Sequence, residues 1–309
     1  MMGTNVEVKA VHPSIAAAKK GIYYAFKEIE RIDKLLGYKG PESDVARVNA
    51  FAGKRPVKIS GETFQLLVRS QAHSKKYLGV FDITIGPVEE LWGFNLDRPA
   101  SLPADSEIKK RLPLVNYQRL VLNAADTTAY LPVKGMKLDL GGIAKGYAID
   151  QAVRILKRYD VQNFILKAGG DMYVSGMKSP TEMWKIGIQH PRQTSELFAM
   201  MDLKDCAIST SGDYERYFMK DGTRYHHILD PKTGYPSRQS KSVSVISITS
   251  AEETDALSTT LFIMGAEKVK ANGNLKNCLI VDGEGKLYLD SALVRDHKLS
   301  ILTQGAITD

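Results

Sequence analysis

The sequence predicts an α+β fold. Strand-like and helix-like segments alternate irregularly along its 309 residues with no fixed repeat, unlike a regularly wound parallel sheet. At this length, 43% apolar content supplies ample material for a packed core. No low-complexity linker interrupts the chain, so the expectation is one compact unit over 1–309, with room for two lobes.

The first strand is expected at 5–11. Ser14 is placed to cap a helix running to about Leu36, because Ile15, Ala18, Ile22, Phe26, Ile29 and Ile32 (or Leu36) recur at helical spacing. The loop GYKGPESD leads to a short polar helix ending near Asn49, and Ser60 caps a second helix through Tyr77. GVFDITIGP reads as a strand-like stretch stopped at Gly86-Pro87, with the proline opening a short helix, VEELWGF. Trp92 and Phe94 are read as core aromatics. A polar, proline-containing connection from Asn95 to Pro113 precedes β segments at 119–122, 128–131 and 137–140. A helix at 143–159 carries Ala144, Tyr147, Ala148, Ala152 (or Gln151) and Ile155 on one side. Strands follow at 163–167, 184–189, 197–202, 241–249, 278–281 and 286–289, with a helix at 251–264 among them.

Composition excludes several classes of function. The net charge of +7 comes from scattered Lys and Arg, with no basic stripe interleaved with aromatics and no nucleic-acid motif; solubility is the favoured explanation. Cys206 and Cys278 lie far apart without metal-type spacing, so neither a disulfide framework nor a CxxC site is indicated. No run of about 18 apolar residues occurs that would span a membrane. Strand-like residues begin almost at once, which fits a cytoplasmic protein or one whose leader has been removed.

Three segments could carry chemistry. In LDLGGIAKGYAID, 138–150, an apolar strand ends at Asp139, two glycines turn the backbone, and a helix begins. Helix starts carry unpaired N–H groups and partial positive charge that suit phosphates, and Lys145 adds a full one. A plain strand–turn–helix with a solvated lysine is the bland alternative, and the segment is neither a GxGxxG fingerprint nor a P-loop. In Tyr225-His226-His227-Ile228-Leu229-Asp230, a strand would point the two rings in opposite directions, making them poor joint ligands for one metal. One facing a pocket could act as a general base; either could equally be a core or turn histidine. In TDALSTT, Asp255 and Thr259 share a helical face and offer hard oxygen ligands appropriate to Mg²⁺ or Ca²⁺. A helix-start acid answering the dipole is the alternative there. Ala168-Gly169-Gly170-Asp171 looks like a tight turn at a site edge, and Thr210-Ser211-Gly212-Asp213 reads as another turn.

Taken in order, Met2-Gly3-Thr4, VFDITIGPVEELWGF, LDLGGIAKGYAID, KAGGD, STSGDYER, HHILDPKTG and TDALSTTLFIMG resemble the ApbE family, the FAD:protein FMN transferases, over nearly the whole chain. The resemblance implies a single α+β protein with a T-fold-like core. It implies an enzyme that splits FAD, joins the FMN half through a phosphoester to a Thr or Ser hydroxyl of a target flavoprotein, and releases AMP. By the same resemblance Asp255, Thr259 and the Gly142 carbonyl hold Mg²⁺ (Ca²⁺ as the alternative), and His227 is the base. FAD contacts are implied for Met2, Tyr38, Val80, Phe81, Asp82, Asp139, Lys145 and the backbone of Ile228 and Leu229. Tyr38 stands in Leu36-Gly37-Tyr38, where the family often has L-S-T-Y, and Gly142 stands where it often has Ala. The acceptors implied are subunits like those of Rnf or sodium-pumping NADH:quinone reductases, or a fumarate-reductase-like protein. The location implied is the periplasm, with a lipid anchor at the inner membrane in the full-length form; the cytoplasm is the alternative. Other activities compatible with these motifs are FAD pyrophosphatase, with water replacing the acceptor hydroxyl, and non-catalytic FAD binding.

Overall fold

Four serines set four helix starts. Ser14, Ser43, Ser60 and Ser250 each offer a side-chain oxygen to a backbone N–H three residues on, at 3.3, 3.1, 3.0 and 3.1 Å, satisfying a donor the helix itself cannot. The computed structural model describes residues 1–94, 96, 98–193 and 195–303; Asn95, where the polar connection begins, lies outside the described residues. The chain divides into two compact units: unit 1 is Met1–Asp33, Ile143–Tyr214 and Arg238–Asp309, and unit 2 is Lys34–Gly142 and Glu215–Ser237.

Among the described residues, unit 1 contains a seven-stranded antiparallel sheet. Its order is Val6–Val11, Asn163–Ala168, Asp171–Ser175, Cys206–Gly212, Ser240–Ser247, Cys278–Asp282 and Leu287–Leu289. Strand alternation gives the sheet two different faces. Val174, Cys206, Ile208, Ile246, Leu279 and Val281 pack with Trp184, Phe198 and Met201 of a three-stranded sheet made by Trp184–Gln189, Leu197–Leu203 and Ser300–Ile301. Ser209 and Ser211, on the opposite face, reach the helix Ala251–Met264. That helix is buried over most of its circumference and packs on both the sheet and the helix Ala144–Arg158.

Unit 2 places the helices Asp44–Ala50, Gly61–Lys76, Gly86–Trp92 and Asp105–Arg111 beside a small sheet of Val57–Lys58, Thr128–Tyr130 and Val121–Asn123, with a hairpin of Tyr217–Lys220 and Thr223–His226. Val88, Trp92, Ile108 and Leu229 form a core on which Phe94, Phe218, Tyr225 and Tyr235 pack. Of the two aromatics assigned to the core from sequence, Trp92 is in it and Phe94, partly buried, packs against it.

Several elements differ from the sequence expectation. GVFDITIGP is a turn rather than a strand: Asp82 Oδ1 accepts from the Thr84 N–H at 2.8 Å and the Thr84 hydroxyl at 2.7 Å, folding the backbone on itself. Residues 137–140 are no strand either. Lys137 makes one isolated parallel bridge to Ile85, Asp139 N–H donates to Ile83, and Leu138 is paired by the Asn49 side chain at 2.6 and 2.9 Å. The segment expected at 119–122 starts as a short 3₁₀ turn, Tyr117–Arg119, before the strand Val121–Asn123. Thr210-Ser211-Gly212 belongs to the strand Cys206–Gly212, because those hydroxyls face buried partners instead of solvent.

Candidate functional site

In unit 1 the chemistry gathers where two helices cross. Gly146, in the first turn of Ala144–Arg158, lies against the first residue of Ala251–Met264: a Cβ there would sit 2.1 Å from the Ala251 carbonyl oxygen. The absent side chain lets the helices approach closely enough for Asp255 Oδ2 to accept the Gly146 N–H at 3.0 Å. Asp255 Oδ1 accepts from Lys145 Nζ at 2.9 Å, and Asp171 Oδ2 lies 3.1 Å from the same ammonium. Both carboxylates are buried, at 2% and 3% exposure.

Burial pushes the Asp255 carboxyl above the usual carboxylate range and Asp171 adds to the push, against the pull of Lys145 and the Gly146 N–H. Burial alone would lower the Lys145 ammonium, but Asp171 and Asp255 together outweigh it and hold it above the usual lysine range. Thr259 stands one turn beyond Asp255 on the same helix, its hydroxyl 3.3 Å from Ser211 Oγ. Ser211 also meets Ser258 at 2.9 Å, so hydroxyls line this part of the seam between helix and sheet.

Asp150 supports the crossing from the other helix. Its carboxylate accepts the N–H groups of Ala251 at 2.8 Å and Glu252 at 3.0 Å, capping the helix that carries Asp255 and Thr259. Burial raises its carboxyl to about 6 even though those two N–H groups pull it down. Met2 has φ of 53° and donates its N–H to Asp33 Oδ2 at 2.9 Å.

Unit 2 holds the remaining residues singled out from sequence. Gly142 is half-buried and is the unit's last residue before the chain enters unit 1. Asp139, 8% exposed, accepts the Gly141 N–H at 2.7 Å. Tyr38 carries a buried hydroxyl near Glu90; burial, then the charge of Glu90, pushes it up. Val80 is half-buried and Phe81 buried, with the His73 ring edge-on to Phe81 at 5.1 Å. Asp82 has both oxygens committed, Oδ1 to Thr84 and Oδ2 to the Tyr117 N–H at 2.9 Å, and burial raises its carboxyl despite those bonds.

The two histidines have different surroundings. His226 is 2% exposed and its Nε2 contacts the Ser237 carbonyl at 2.8 Å. His227 is half-buried, with Nδ1 3.3 Å from the Arg216 carbonyl and its ring edge-on to Phe94. Because a carbonyl only accepts, that contact favours the tautomer with Nδ1–H and a lone pair on Nε2. Ile228 and Leu229 are buried; the Ile228 carbonyl accepts from Ser237, and Leu229 is bridged to Pro236.

Within unit 1 the structure therefore brings together Lys145, Asp255 and Thr259. Asp171 and Asp150 were not assigned roles from sequence. For Asp171 a signal exists, since the AGGD turn follows an apolar strand; for Asp150 nothing in the local pattern shows that its partners lie a hundred residues on.

Residues 2–278 match the family model described as "ApbE family". The chain is 35% identical over 272 residues to a FAD:protein FMN transferase of Klebsiella pneumoniae (strain 342), covering 87% of this chain and 82% of that protein. It is 33% identical over 258 residues to a FAD:protein FMN transferase of Treponema pallidum (strain Nichols), covering 79% and 71%. Among solved structures it is similar to the ApbE protein from Thermotoga maritima MSB8, with a TM-score of 0.87 and 34% identity over 94% of this chain and 95% of that one. The flavin transferase ApbE from Vibrio cholerae is similar with a TM-score of 0.83 and 28% identity over 95% and 96%.

Proposed function

The chain belongs to the ApbE family, and from that premise we propose that it is a Mg²⁺-dependent FAD:protein FMN transferase. It takes FAD, passes the FMN half to a Thr or Ser hydroxyl of an acceptor flavoprotein as a phosphoester, and releases AMP. The observation that carries this is the buried Asp255–Lys145–Asp171 group with Thr259 one turn along, which gathers oxygen donors and an ammonium where a metal–pyrophosphate would need both.

The residues present fit a hard divalent cation. Asp255 Oδ1 and the Thr259 hydroxyl are oxygen donors on one helical face, and the Gly142 carbonyl is the proposed third. Among the described residues no three His, Cys, Asp or Glu side chains form a metal cage. Mg²⁺ sharing its shell with substrate phosphates and water needs none. When bound, the cation would supply charge neutralisation on the pyrophosphate. Lys145 would add a fixed positive charge at the bond that breaks, in surroundings dry enough to make it count. His227, oriented through Nδ1 by the Arg216 carbonyl, would take the proton of the incoming hydroxyl at Nε2. Met2, Tyr38, Val80, Phe81, Asp82, Asp139, Ile228 and Leu229 are proposed to contact FAD. Asp82 would also hold the 80–84 turn in shape, since its oxygens accept from Thr84 and the Tyr117 N–H.

The acceptor is proposed to be a respiratory flavoprotein subunit of the Rnf or sodium-pumping type, or a fumarate-reductase-like protein, met in the periplasm. Incubating the chain with FAD, Mg²⁺ and such an acceptor should give a protein band that stays fluorescent under denaturing conditions, with AMP released in step. FMN and AMP formed without an acceptor would make it a pyrophosphatase, and no labelling of any natural acceptor would exclude the transferase.

A further inference from the structure

Asp171 is a buried carboxylate to which the proposed chemistry gives no task. It opens the strand Asp171–Ser175, paired on one side with Ala168 and on the other with Ser209, so its backbone cannot readily move. The preceding turn has no room for side chains: a Cβ on Gly170 would lie 2.4 Å from the Thr210 carbonyl oxygen, and Gly169 has φ of 64°. Asp171 Oδ2 is buried, and among the described residues the group that meets it is the Lys145 ammonium, 3.1 Å away. Such an oxygen is unfavourable unless a neighbouring charge compensates it.

Lys145 is therefore shared between two acids whose situations differ. Asp255 Oδ2 is held by the Gly146 N–H, leaving Oδ1 for the ammonium. A cation binding through Asp255 Oδ1 and Thr259 would find Nζ already there. The ammonium would have to leave Oδ1, repelled by the newcomer, and the lysine stem is flexible with 24% of the side chain open to solvent. Asp171 offers it a nearer destination. Losing Lys145 would also leave Asp171 as an uncompensated buried charge, so both partners favour staying together.

We infer that Asp171 is a positioning residue: it retains Lys145 beside the site when a divalent cation takes over Asp255 Oδ1. This rests on the proposal that Asp255 binds Mg²⁺. The retained ammonium and the cation then act on the same pyrophosphate, instead of one displacing the other into solvent.

The test is acylation of lysines in the full chain by acetic anhydride at fixed pH, with Lys145 followed by peptide mass spectrometry as Mg²⁺ is added. Saturating Mg²⁺ should change Lys145 labelling less than about twofold in the unsubstituted protein. In Asp171→Asn it should raise labelling about tenfold or more, the scale of one lost charge-assisted hydrogen bond. An equal rise in both proteins, or no rise in the variant, overturns the inference. Lys241, 4% exposed, serves as an internal monitor of unfolding. If its labelling jumps in Asp171→Asn, the smaller Asp171→Ser gives the comparison, on the same criteria. AMP release from FAD by the unsubstituted protein is measured alongside: its absence refutes the proposed function, while the labelling pattern decides Asp171 separately.

Discussion

At the scale of single residues, the site rests on groups whose surroundings set their charge. His227 is held through Nδ1, so replacing it should leave FAD binding intact and remove the proposed proton acceptor. We expect His227→Ala to bind FAD with unchanged fluorescence quenching while transfer falls by about 10²–10⁴-fold, the usual contribution of a general base. Full transfer by that variant would take His227 out of the mechanism. Asp150 gives a second residue-scale prediction. Its carboxyl is raised from near 3.8 to about 6, so between those values the folded chain binds more protons than the unfolded one. Stability contributed by this group is therefore full below about pH 4 and falls as pH rises through 6, by about 2 kcal/mol after allowing for its partly exposed edge. Urea unfolding at pH 4.5 and pH 7 should show that the decline is shallower in Asp150→Asn, and an unchanged slope would contradict the assignment.

At the scale of elements, the helices Ala144–Arg158 and Ala251–Met264 meet without room for a side chain at Gly146. A methyl group there meets the Ala251 carbonyl, a backbone atom that cannot rotate aside. Gly146→Ala should lower stability by about 2–3 kcal/mol, beyond the gain alanine normally brings to a helix, and equilibrium denaturation measures it. Nothing in LDLGGIAKGYAID announces this crossing, since a glycine in the first turn of a helix looks like part of the loop before it. Elements with strong local signals were legible: the serine caps, the apolar spacing of Ile15–Leu36 and the alternating strands of the large sheet. Those that failed had partners far away. Leu138 looks like a strand residue because it is apolar and buried, yet an asparagine side chain from Asn49 stands in for a neighbouring strand. Thr210 and Ser211 look like part of a turn because they are hydroxylic, yet buried hydroxyls await them, Ser244 on the neighbouring strand and Ser258 on the Ala251–Met264 helix.

At the scale of the whole molecule, the α+β class was readable from irregular alternation, and the family from the order of its motifs, neither of which depends on a single residue. The site was only partly readable: motif order names Asp255, Thr259 and Lys145, but the pairing of Lys145 with Asp171 is a product of sheet register. Ligand binding offers a global readout of that site. With free FAD and Mg²⁺ at about a hundredfold over the dissociation constant, stabilisation should reach about 2.7 kcal/mol, a rise of roughly 5 °C in Tm. Asp255→Ala should abolish the part that needs Mg²⁺, and an undiminished rise in that variant would show that the cation binds elsewhere. The sheet order carries one more consequence, for the protein while it is being made. Among the described residues the strand Val6–Val11 pairs only with Asn163–Ala168. At about 5–20 residues per second, its partner leaves the ribosome on the order of ten seconds later. Through that interval the nascent chain carries an unpaired strand, and the sheet cannot finish until Cys278–Asp282 and Leu287–Leu289 have emerged. Unit 2, complete by Ser237, has all its residues in hand first. Factors that shield the strand Val6–Val11 on the emerging chain should thus raise the yield of folded protein more than factors that act after release.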